Sequence, residues 1–264
     1  MDLGLADATV VVQGGTSGMG RAAARCFAED GARVAVLSRT QAKIDDTCTE
    51  LLEMGSPEVI GLRADITDAA QVDAAFAEVG ERWGSLNVLI NAAGPSGAAS
   101  FDDLTDDAWM RAIDEGCLGM VRCVRAALPL LRAADWARIV NVSAHSVKRQ
   151  GVNLVAYTAA KAAMTSVSKN LSLSLAPDEI LVNTVSPGSF ATPALNGWVE
   201  SVGGDPSDLH ATMGLIGEHF GHPAHLPRAG DPSEMGPVIT FLASRRNSYM
   251  TGADVNVDGG SDFC

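Results

Sequence analysis

The sequence predicts a single-domain α/β protein, a doubly wound parallel sheet of about seven strands with helices on both faces. Short runs of β-branched residues alternate with longer helical stretches along the chain. The length of 264 residues suits one large domain, and no repeat, low-complexity tract or linker divides it. Hydrophobic residues make up 47% of the chain and charged residues 19%, which provides for a sizeable core.

The first half of the chain alternates regularly between the two kinds of element. Strands are predicted at Thr9–Gln13, Arg33–Ser38, 58–63 and 87–91, and helices at 19–30 and 41–54 and from a cap at Thr67 to about Trp83. Glycine follows each of the first two helices, as expected where a helix ends in a left-handed residue. These elements therefore form successive strand–helix–strand units.

The second half begins with a long helix at 105–133, which should bend near Gly116, Gly119 or Pro129. The remaining predicted elements are strands at 138–143, 181–186 and Asp254–Val257, and helices at 154–175 and 232–244. The arginines of the long helix are expected to be solvated or interface charges; they are Arg122, Arg125 and Arg132.

One segment, residues 193–230, interrupts this alternation. It contains four prolines and four of the five histidines. A long irregular connection within a compact domain is usually a lid or a binding loop, so we expect a substrate lid here. His219, His222 and His225 recur every three residues, but Pro223 prevents a regular helix, so no metal site is expected.

The charge and the cysteines limit location and partners. A net charge of −13 disfavours nucleic acid and anionic membranes as partners. The amino terminus lacks the basic and apolar regions of a signal peptide, and the five cysteines form no CxxC pair. We therefore expect a cytoplasmic protein in which most cysteines are reduced and buried.

A glycine-rich turn joins the first strand to the first helix. Glycines allow a tight turn and close approach to a pyrophosphate, while the unpaired N–H groups of the new helix attract its charge. The turn comprises Gly14, Gly15, Thr16, Ser17, Gly18, Met19 and Gly20. This strand–turn–helix context predicts a Rossmann-type dinucleotide site.

The end of the second strand indicates which dinucleotide binds. A carboxylate there would accept a hydrogen bond from the 2′-hydroxyl of NAD. This chain has Ser38 and Arg39 instead, and the guanidinium suits a 2′-phosphate. NADP(H) is therefore favoured, with NAD(H) as the alternative.

Tyr157 and Lys161 stand four residues apart on one face of a predicted helix. A free phenol titrates near pH 10, and a neighbouring cation would lower that pKa toward the range useful for acid–base catalysis. The pair therefore predicts a catalytic centre.

With these motifs on one chain, the sequence resembles the short-chain dehydrogenase/reductase family over essentially its full length, including 3-oxoacyl reductase-like members. Further matches are Asp65 with Ile66, Asn91, Ala92 and Gly94, Pro187 and Gly188, Phe190 and Thr192, and a closing Asp258-Gly259-Gly260. The resemblance implies that Tyr157 exchanges a proton with the substrate and that Lys161 binds the nicotinamide ribose. It also implies that Asp65 contacts adenine, that residues 91–94 flank the cofactor, and that Phe190 and Thr192 lie near the carboxamide. A homo-oligomer, a tetramer or dimer, is implied as well.

Two usual catalytic positions of the family differ here. Ala144 stands where a serine is usual, thirteen residues before Tyr157, and Gly116 stands where an asparagine is usual. Ser146 is the first choice to polarise the carbonyl in place of the missing serine, and Ser143 or His145 are the alternatives. Gln13 also replaces a usual threonine.

These observations predict an NADP(H)-dependent oxidoreductase that interconverts a ketone and a secondary alcohol. An apolar, medium-sized substrate is expected because the lid segment is rich in large apolar residues, namely Leu195, Trp198, Leu209, Met213, Leu215, Ile216 and Phe220. The alternative is a dinucleotide-binding sensor or structural subunit with impaired catalysis, which Ala144 and Gly116 motivate.

Overall fold

The structure, a computed structural model, describes residues 2–95, 97–221 and 223–261. Seven strands form one parallel sheet in the order β3-β2-β1-β4-β5-β6-β7. The strands are β1 (Thr9–Gln13), β2 (Arg33–Ser38), β3 (Val59–Arg63), β4 (Val88–Asn91), β5 (Ala137–Val142), β6 (Ile180–Pro187) and β7 (Asp254–Val257). The predicted single-domain, doubly wound α/β fold is confirmed. The strand order reverses between β1 and β4, the point at which such sheets bind ligands.

Helices cover both faces of the sheet. They are α1 (Gly18–Glu29), α2 (Gln41–Glu53), α3 (Ala69–Trp83), α4 (Asp106–Ile113), α5 (Gly119–Ala133), α6 (Val155–Ser174), α7 (Pro193–Ser201), α8 (Leu209–Phe220) and α9 (Pro232–Leu242). Alternate residues of the strands point to opposite faces. One face packs against α1, α2 and α9, and the other against α3, α5 and α6. Both faces are thus buried, as the apolar strands predicted.

Two predicted helix boundaries differ from the structure. The amino-terminal cap of α3 is Asp68 rather than Thr67, because the Asp68 carboxylate accepts from the backbone N–H groups of Ala70 and Gln71. The predicted helix at 105–133 is divided into α4 and α5 by a π-helical segment, Asp114–Leu118, in which the N–H of Gly119 reaches back five residues to the carbonyl of Asp114. A wider turn of this kind accommodates an extra residue in the helix.

The segment at 193–230 is more regular than the sequence predicted. It contains α7, capped by the Thr192 hydroxyl, and α8, capped by the Asp208 carboxylate. Met213 and Ile216 are buried there, and Leu195, Trp198 and Phe220 pack around them. The two helices therefore have a small core of their own.

Among the described residues, none of the helices has both the length and the apolar character needed to cross a bilayer.

Candidate active site

A cleft of about 210 Å³ opens at the carboxyl ends of β1, β2, β3 and β4. Its lining residues are Gln13, Gly14, Thr16, Ser17, Leu37, Ser38, Arg39, Thr40, Lys43, Ala64, Asp65, Ile66, Ala93, Gly94 and Glu115. The residues that follow four separate strands thus meet at the switch point of the sheet. This convergence is the arrangement in which open α/β sheets hold nucleotides.

The glycine turn forms the floor of this cleft. A Cβ on Gly14 would lie 2.7 Å from the backbone nitrogen of Ala93, and a Cβ on Gly20 would overlap the carbonyl oxygen of Gly14. Ser17 caps α1 without a side-chain hydrogen bond, and the first turn of α1 has no acidic residue. The N–H groups of that turn are therefore left for an anion, and the cradle fits the pyrophosphate of a dinucleotide.

The end of the cleft near β2 combines hydroxyl groups with opposite charges. The Thr16 hydroxyl donates to the Ser38 hydroxyl at 3.0 Å, which joins the glycine turn to β2. The exposed Arg39 guanidinium lies 4.0 Å from the Asp65 carboxylate. The Asp65 carboxylate also accepts from the backbone and hydroxyl of Thr67, which are the main reasons that its pKa is lowered. Asp65 is therefore ionised and oriented at neutral pH.

The predicted cofactor residues do not all line this cleft. Its lining includes Gly14, Thr16, Ser17, Ser38, Arg39, Asp65, Ile66 and Gly94. It does not include Gly18, Met19, Gly20, Asn91, Ala92, Tyr157, Lys161, Pro187, Gly188, Phe190 or Thr192. Asn91 is fully buried and donates to the Asn141 carboxamide at 2.8 Å, so its side chain lies behind the cleft.

Four polar residues of the lining were not predicted as cofactor residues from the sequence. Lys43 lies four residues after Arg39, at the start of α2, and Thr40 caps that helix. Gln13 is buried and accepts from the backbone nitrogen of Ala93 at 2.9 Å, so it joins the ends of β1 and β4. Glu115 belongs to the π segment, and its place in the cleft depends on that irregular turn. The presence of a second cation, Lys43, close to Arg39 in the sequence was the one usable signal.

Tyr157 and Lys161 lie in the first two turns of α6, as predicted. The buried Lys161 ammonium donates to the carbonyl oxygen of Val142 at 2.7 Å and stands next to Gly94, where a Cβ would be 2.8 Å from its nitrogen. The sequence predicted a lowered pKa for Tyr157, and the structure contradicts this direction. Burial raises the pKa of Tyr157 to about 12, and burial lowers the pKa of Lys161 to about 8.

The two candidate serines have different environments. The Ser143 hydroxyl is buried between the carbonyl of Lys161 and the hydroxyl of Thr165, at 3.3 and 2.7 Å. The Ser146 hydroxyl accepts from that of Thr158, the neighbour of Tyr157, at 3.2 Å. Ser143, the residue after β5, therefore contacts α6 through its hydroxyl. Ser146 instead contacts Thr158, which follows the candidate catalytic tyrosine.

Further predicted residues lie at the end of β6 or after it and contact other parts of the site. A Cβ on Gly18 would lie 3.2 Å from the Thr192 side chain, so the glycine turn contacts the start of α7. Gly188 packs against Asp258, with 2.7 Å between the position of a Cβ and the Asp258 Cα. Pro187 presents its carbonyl to His145 Nδ1 at 3.0 Å. The buried Phe190 ring packs on Gly230.

A second cavity of about 370 Å³ adjoins the cleft and shares Arg39 and Glu115 with it. It lies between residues 95 and 97–99, α4 and the start of α6, and Tyr157 is among its lining residues. Most of its lining residues are apolar, and Arg111 and Asn153 are further polar members. The cleft and this cavity together run from the end of β2 to Tyr157.

Within residues 2–95, 97–221 and 223–261, no three or more His, Cys, Asp and Glu side chains are grouped so as to hold a metal ion. His222, one of the three regularly spaced histidines, lies outside the described residues. The Trp198 ring packs on His219 and on Phe220, with centroid distances of 5.5 and 5.1 Å.

Comparison with known proteins places these features among oxidoreductases. Residues 14–262 match a family model described as enoyl-(acyl carrier protein) reductase. The chain is 34% identical over 256 residues to cis-4-hydroxycyclohexanecarboxylate dehydrogenase of Sinomonas cyclohexanicum, covering 97% of this chain and 96% of that protein. It is 31% identical over 252 residues to meso-2,3-butanediol dehydrogenase of Serratia marcescens, covering 96% and 93%.

Solved structures agree with the curated relatives. L-sorbose reductase from Gluconobacter frateurii, solved with NADPH and L-sorbose, superposes with a TM-score of 0.91 at 26% identity, covering 100% of both chains. Aldohexose dehydrogenase of Thermoplasma acidophilum superposes with a TM-score of 0.85 at 30% identity, covering 98% of this chain and 96% of that one.

Proposed function

Because this chain belongs to the short-chain dehydrogenase/reductase family of NAD(P)-dependent oxidoreductases, we propose that it uses NADP(H) to interconvert a ketone and a secondary alcohol of a small molecule. The observation that carries this proposal is the continuous path from the glycine cradle to Tyr157. The bound nicotinamide would supply or accept the hydride, and the side chains described above perform the remaining tasks.

The preference for NADP(H) rests on charge at the end of β2. Arg39 and Lys43 both line the cleft there, and Ser38 occupies the position where a carboxylate would select NAD(H). The Asp65 carboxylate is at 4.0 Å from Arg39, and the exposed guanidinium has room to turn toward a 2′-phosphate. A reductase of the same fold was solved with NADPH.

Tyr157 is the proposed proton donor in the reductive direction. Its raised pKa keeps the phenol protonated at neutral pH, so it can give a proton to the carbonyl oxygen of a ketone as that oxygen gains negative charge. In the oxidative direction the phenolate would take the proton of the alcohol. Lys161, held by the carbonyl of Val142, would orient the ribose and stabilise the phenolate once a cofactor and substrate fill the site.

Ser146 is the proposed second donor to the substrate carbonyl. It lies two residues after Ala144, the position of the usual serine, and its hydroxyl contacts that of Thr158, which follows Tyr157 in the sequence. Ser143 is a poorer candidate because its hydroxyl is held between α6 atoms. A positioned donor of this kind typically contributes about 100- to 1000-fold to the rate.

The proposed substrate is apolar and of medium size, and residues 193–230 are its proposed lid. Met213 and Ile216 are buried within the lid, so they do not meet a substrate. Leu195, Trp198 and Phe220 are only partly buried and provide the apolar surface available to one. A homo-oligomer, dimer or tetramer, is also proposed, supported by two exposed leucines, Leu118 of the π segment and Leu173 near the end of α6.

The proposal is tested by titrating NADPH and NADH and by assaying NADPH oxidation with a panel of ketones that includes cyclic and linear members. We expect tighter binding of NADPH, turnover of at least one ketone, and a loss of about 1000-fold or more in Tyr157→Phe with cofactor binding retained. Tight NADPH binding with no turnover, and no effect of Tyr157→Phe, would instead support a sensor or structural subunit.

A further inference from the structure

Arg122 was expected to be a solvated or interface charge, but it is largely buried in the structure. Only 21% of its side chain is exposed, and both terminal nitrogens of its guanidinium have partners. Nη1 donates to the carbonyl oxygen of Ile66 at 3.1 Å, and Nη2 pairs with the carboxylate of Asp114 at 2.7 Å. One side chain therefore joins a turn that lines the nucleotide cleft to the π segment.

The pairing of Arg122 with Asp114 depends on that segment. Residues eight apart in a regular α-helix differ by about 80° around the axis. The π segment, Asp114–Leu118, lies between the two and takes more residues per turn, which reduces the offset and brings both side chains to one face. The irregular turn is thus what allows the ion pair.

The same region contacts Ile66 a second time. A Cβ on Gly119 would lie 2.5 Å from Cδ1 of Ile66, so the isoleucine side chain rests directly on the backbone of α5. Ile66 and Asp65 together form the wall of the cleft that follows β3. The Ile66 side chain is therefore supported by Gly119 and its carbonyl by Arg122.

From these contacts we infer that Arg122 is a positioning residue for the adenosine end of the cofactor, acting through Ile66. It touches neither the proposed reacting atoms nor the cleft, whose lining does not include it. Loss of the guanidinium leaves the carbonyl of Ile66 and the carboxylate of Asp114 without their charged donor, so the turn at residues 65–67 becomes less well ordered. The inference rests on the proposed use of a dinucleotide, but not on the choice between NADP(H) and NAD(H).

The test uses fragments that contain only the adenosine end. ADP-ribose and 2′-phospho-ADP-ribose are titrated calorimetrically into the wild type, and the fragment that binds more tightly is used for the variants. Arg122→Met should weaken its binding by roughly tenfold, the loss expected for a charge-assisted hydrogen bond. The KM for the whole cofactor should rise similarly, with kcat at saturating cofactor within about twofold of wild type.

Arg132→Met is the matched control. Arg132 lies on the same helix and pairs with Asp178 at 2.8 Å, far from the cleft lining. This variant also loses one ion pair, and we expect no change in fragment binding. A general loosening of α5 would weaken fragment binding in both variants and would overturn the inference.

Other outcomes of this experiment also support or overturn the inference about Arg122. Fragment binding within twofold of wild type in a folded Arg122→Met protein overturns the inference while leaving the proposed function intact. If that variant does not fold, Asp114→Asn is used in its place, because it keeps the guanidinium but removes the charge with which the guanidinium pairs. Weaker fragment binding by this variant supports the inference, and unchanged binding overturns it. A wild type that binds neither fragment contradicts both the inference and the proposed function.

Discussion

Gly116 and Ala160 face each other so closely that a Cβ on Gly116 would lie 2.7 Å from the Cβ of Ala160. The ring of Pro95 closes the same space from the other side, at 2.9 Å. Gly116 is buried in the π segment, and Ala160 lies on α6 between Tyr157 and Lys161. The position at which the family usually has asparagine is therefore packed against neighbours that leave no room for a side chain.

Restoring that asparagine should harm this protein. Gly116→Asn and Gly116→Ala should each lower the free energy of unfolding by about 1–3 kcal/mol, because the new atoms must displace Ala160 or Pro95. Urea unfolding and kcat/KM are the measurements. Gly214→Ala is the control, since nothing lies within 4 Å of its Cβ position, and it should be neutral or stabilise by about 0.4–1 kcal/mol. A Gly116→Asn protein of wild-type stability and higher activity would contradict this account.

Arg39→Ala should change the cofactor preference. Without the guanidinium, the KM for NADPH should rise roughly 10- to 100-fold, corresponding to a charge-assisted bond to phosphate, while the KM for NADH stays within about threefold. Steady-state kinetics with both cofactors provide the readout. Arg33→Ala is the control, because Arg33 carries the same charge at the opposite end of β2, away from the cleft. This variant should change neither the KM for NADPH nor the KM for NADH. Equal effects on the two cofactors would show that Arg39 does not select NADPH.

Ser146→Ala should reduce kcat/KM for a ketone by about 100-fold, since it removes the proposed donor to the carbonyl oxygen. Ser143→Ala is its matched control and should cost about 1 kcal/mol of stability by losing the contact with Thr165, with kcat nearly unchanged. A larger kinetic loss in Ser143→Ala than in Ser146→Ala would reverse the assignment.

Ala144→Ser should partly rescue Ser146→Ala. Ala144 is buried two residues beyond the end of β5, where the family usually has its serine, so a new hydroxyl there would add the missing donor. We expect at least a tenfold gain in kcat/KM over the single variant. No gain would indicate that the strand end places position 144 out of reach of the substrate.

Lys161 should make stability depend on pH. Its pKa is about 8 in the folded protein and 10.5 in the unfolded chain, so between pH 8 and 10 the unfolded chain binds more protons. The wild type should therefore gain up to about 3 kcal/mol relative to Lys161→Met as pH rises through this window. Lys169→Met is the control, because Lys169 lies on the same helix and its ammonium is exposed. The stability of this variant should change with pH as that of the wild type does. If the difference in the free energy of unfolding between the wild type and Lys161→Met stays constant across this pH window, the lowered pKa of Lys161 is contradicted.

The strands and the glycine turn were predictable because they depend on local patterns. Runs such as Thr9–Gln13 are apolar along their whole length, as buried parallel strands require, and the structure confirms them. The break in the long helix was less predictable. Gly116, Gly119 and Pro129 were all candidates, and Pro129 lies within an uninterrupted α5. Packing of Gly116 against Ala160 and Pro95 favours the site of the π segment, and those residues are distant in sequence.

The sequence by itself determined the doubly wound sheet, its glycine cradle and the Tyr157–Lys161 pair, because each follows from periodicity or short spacing along one element. Only the tertiary structure decided the pKa values of these groups and the contacts that hold the site in place. Burial raises the pKa of Tyr157 and lowers that of Lys161. The burial of Arg122 likewise depends on Ile66, 56 positions earlier in the chain. Such contacts join residues from separate strands and helices, and no local pattern specifies them.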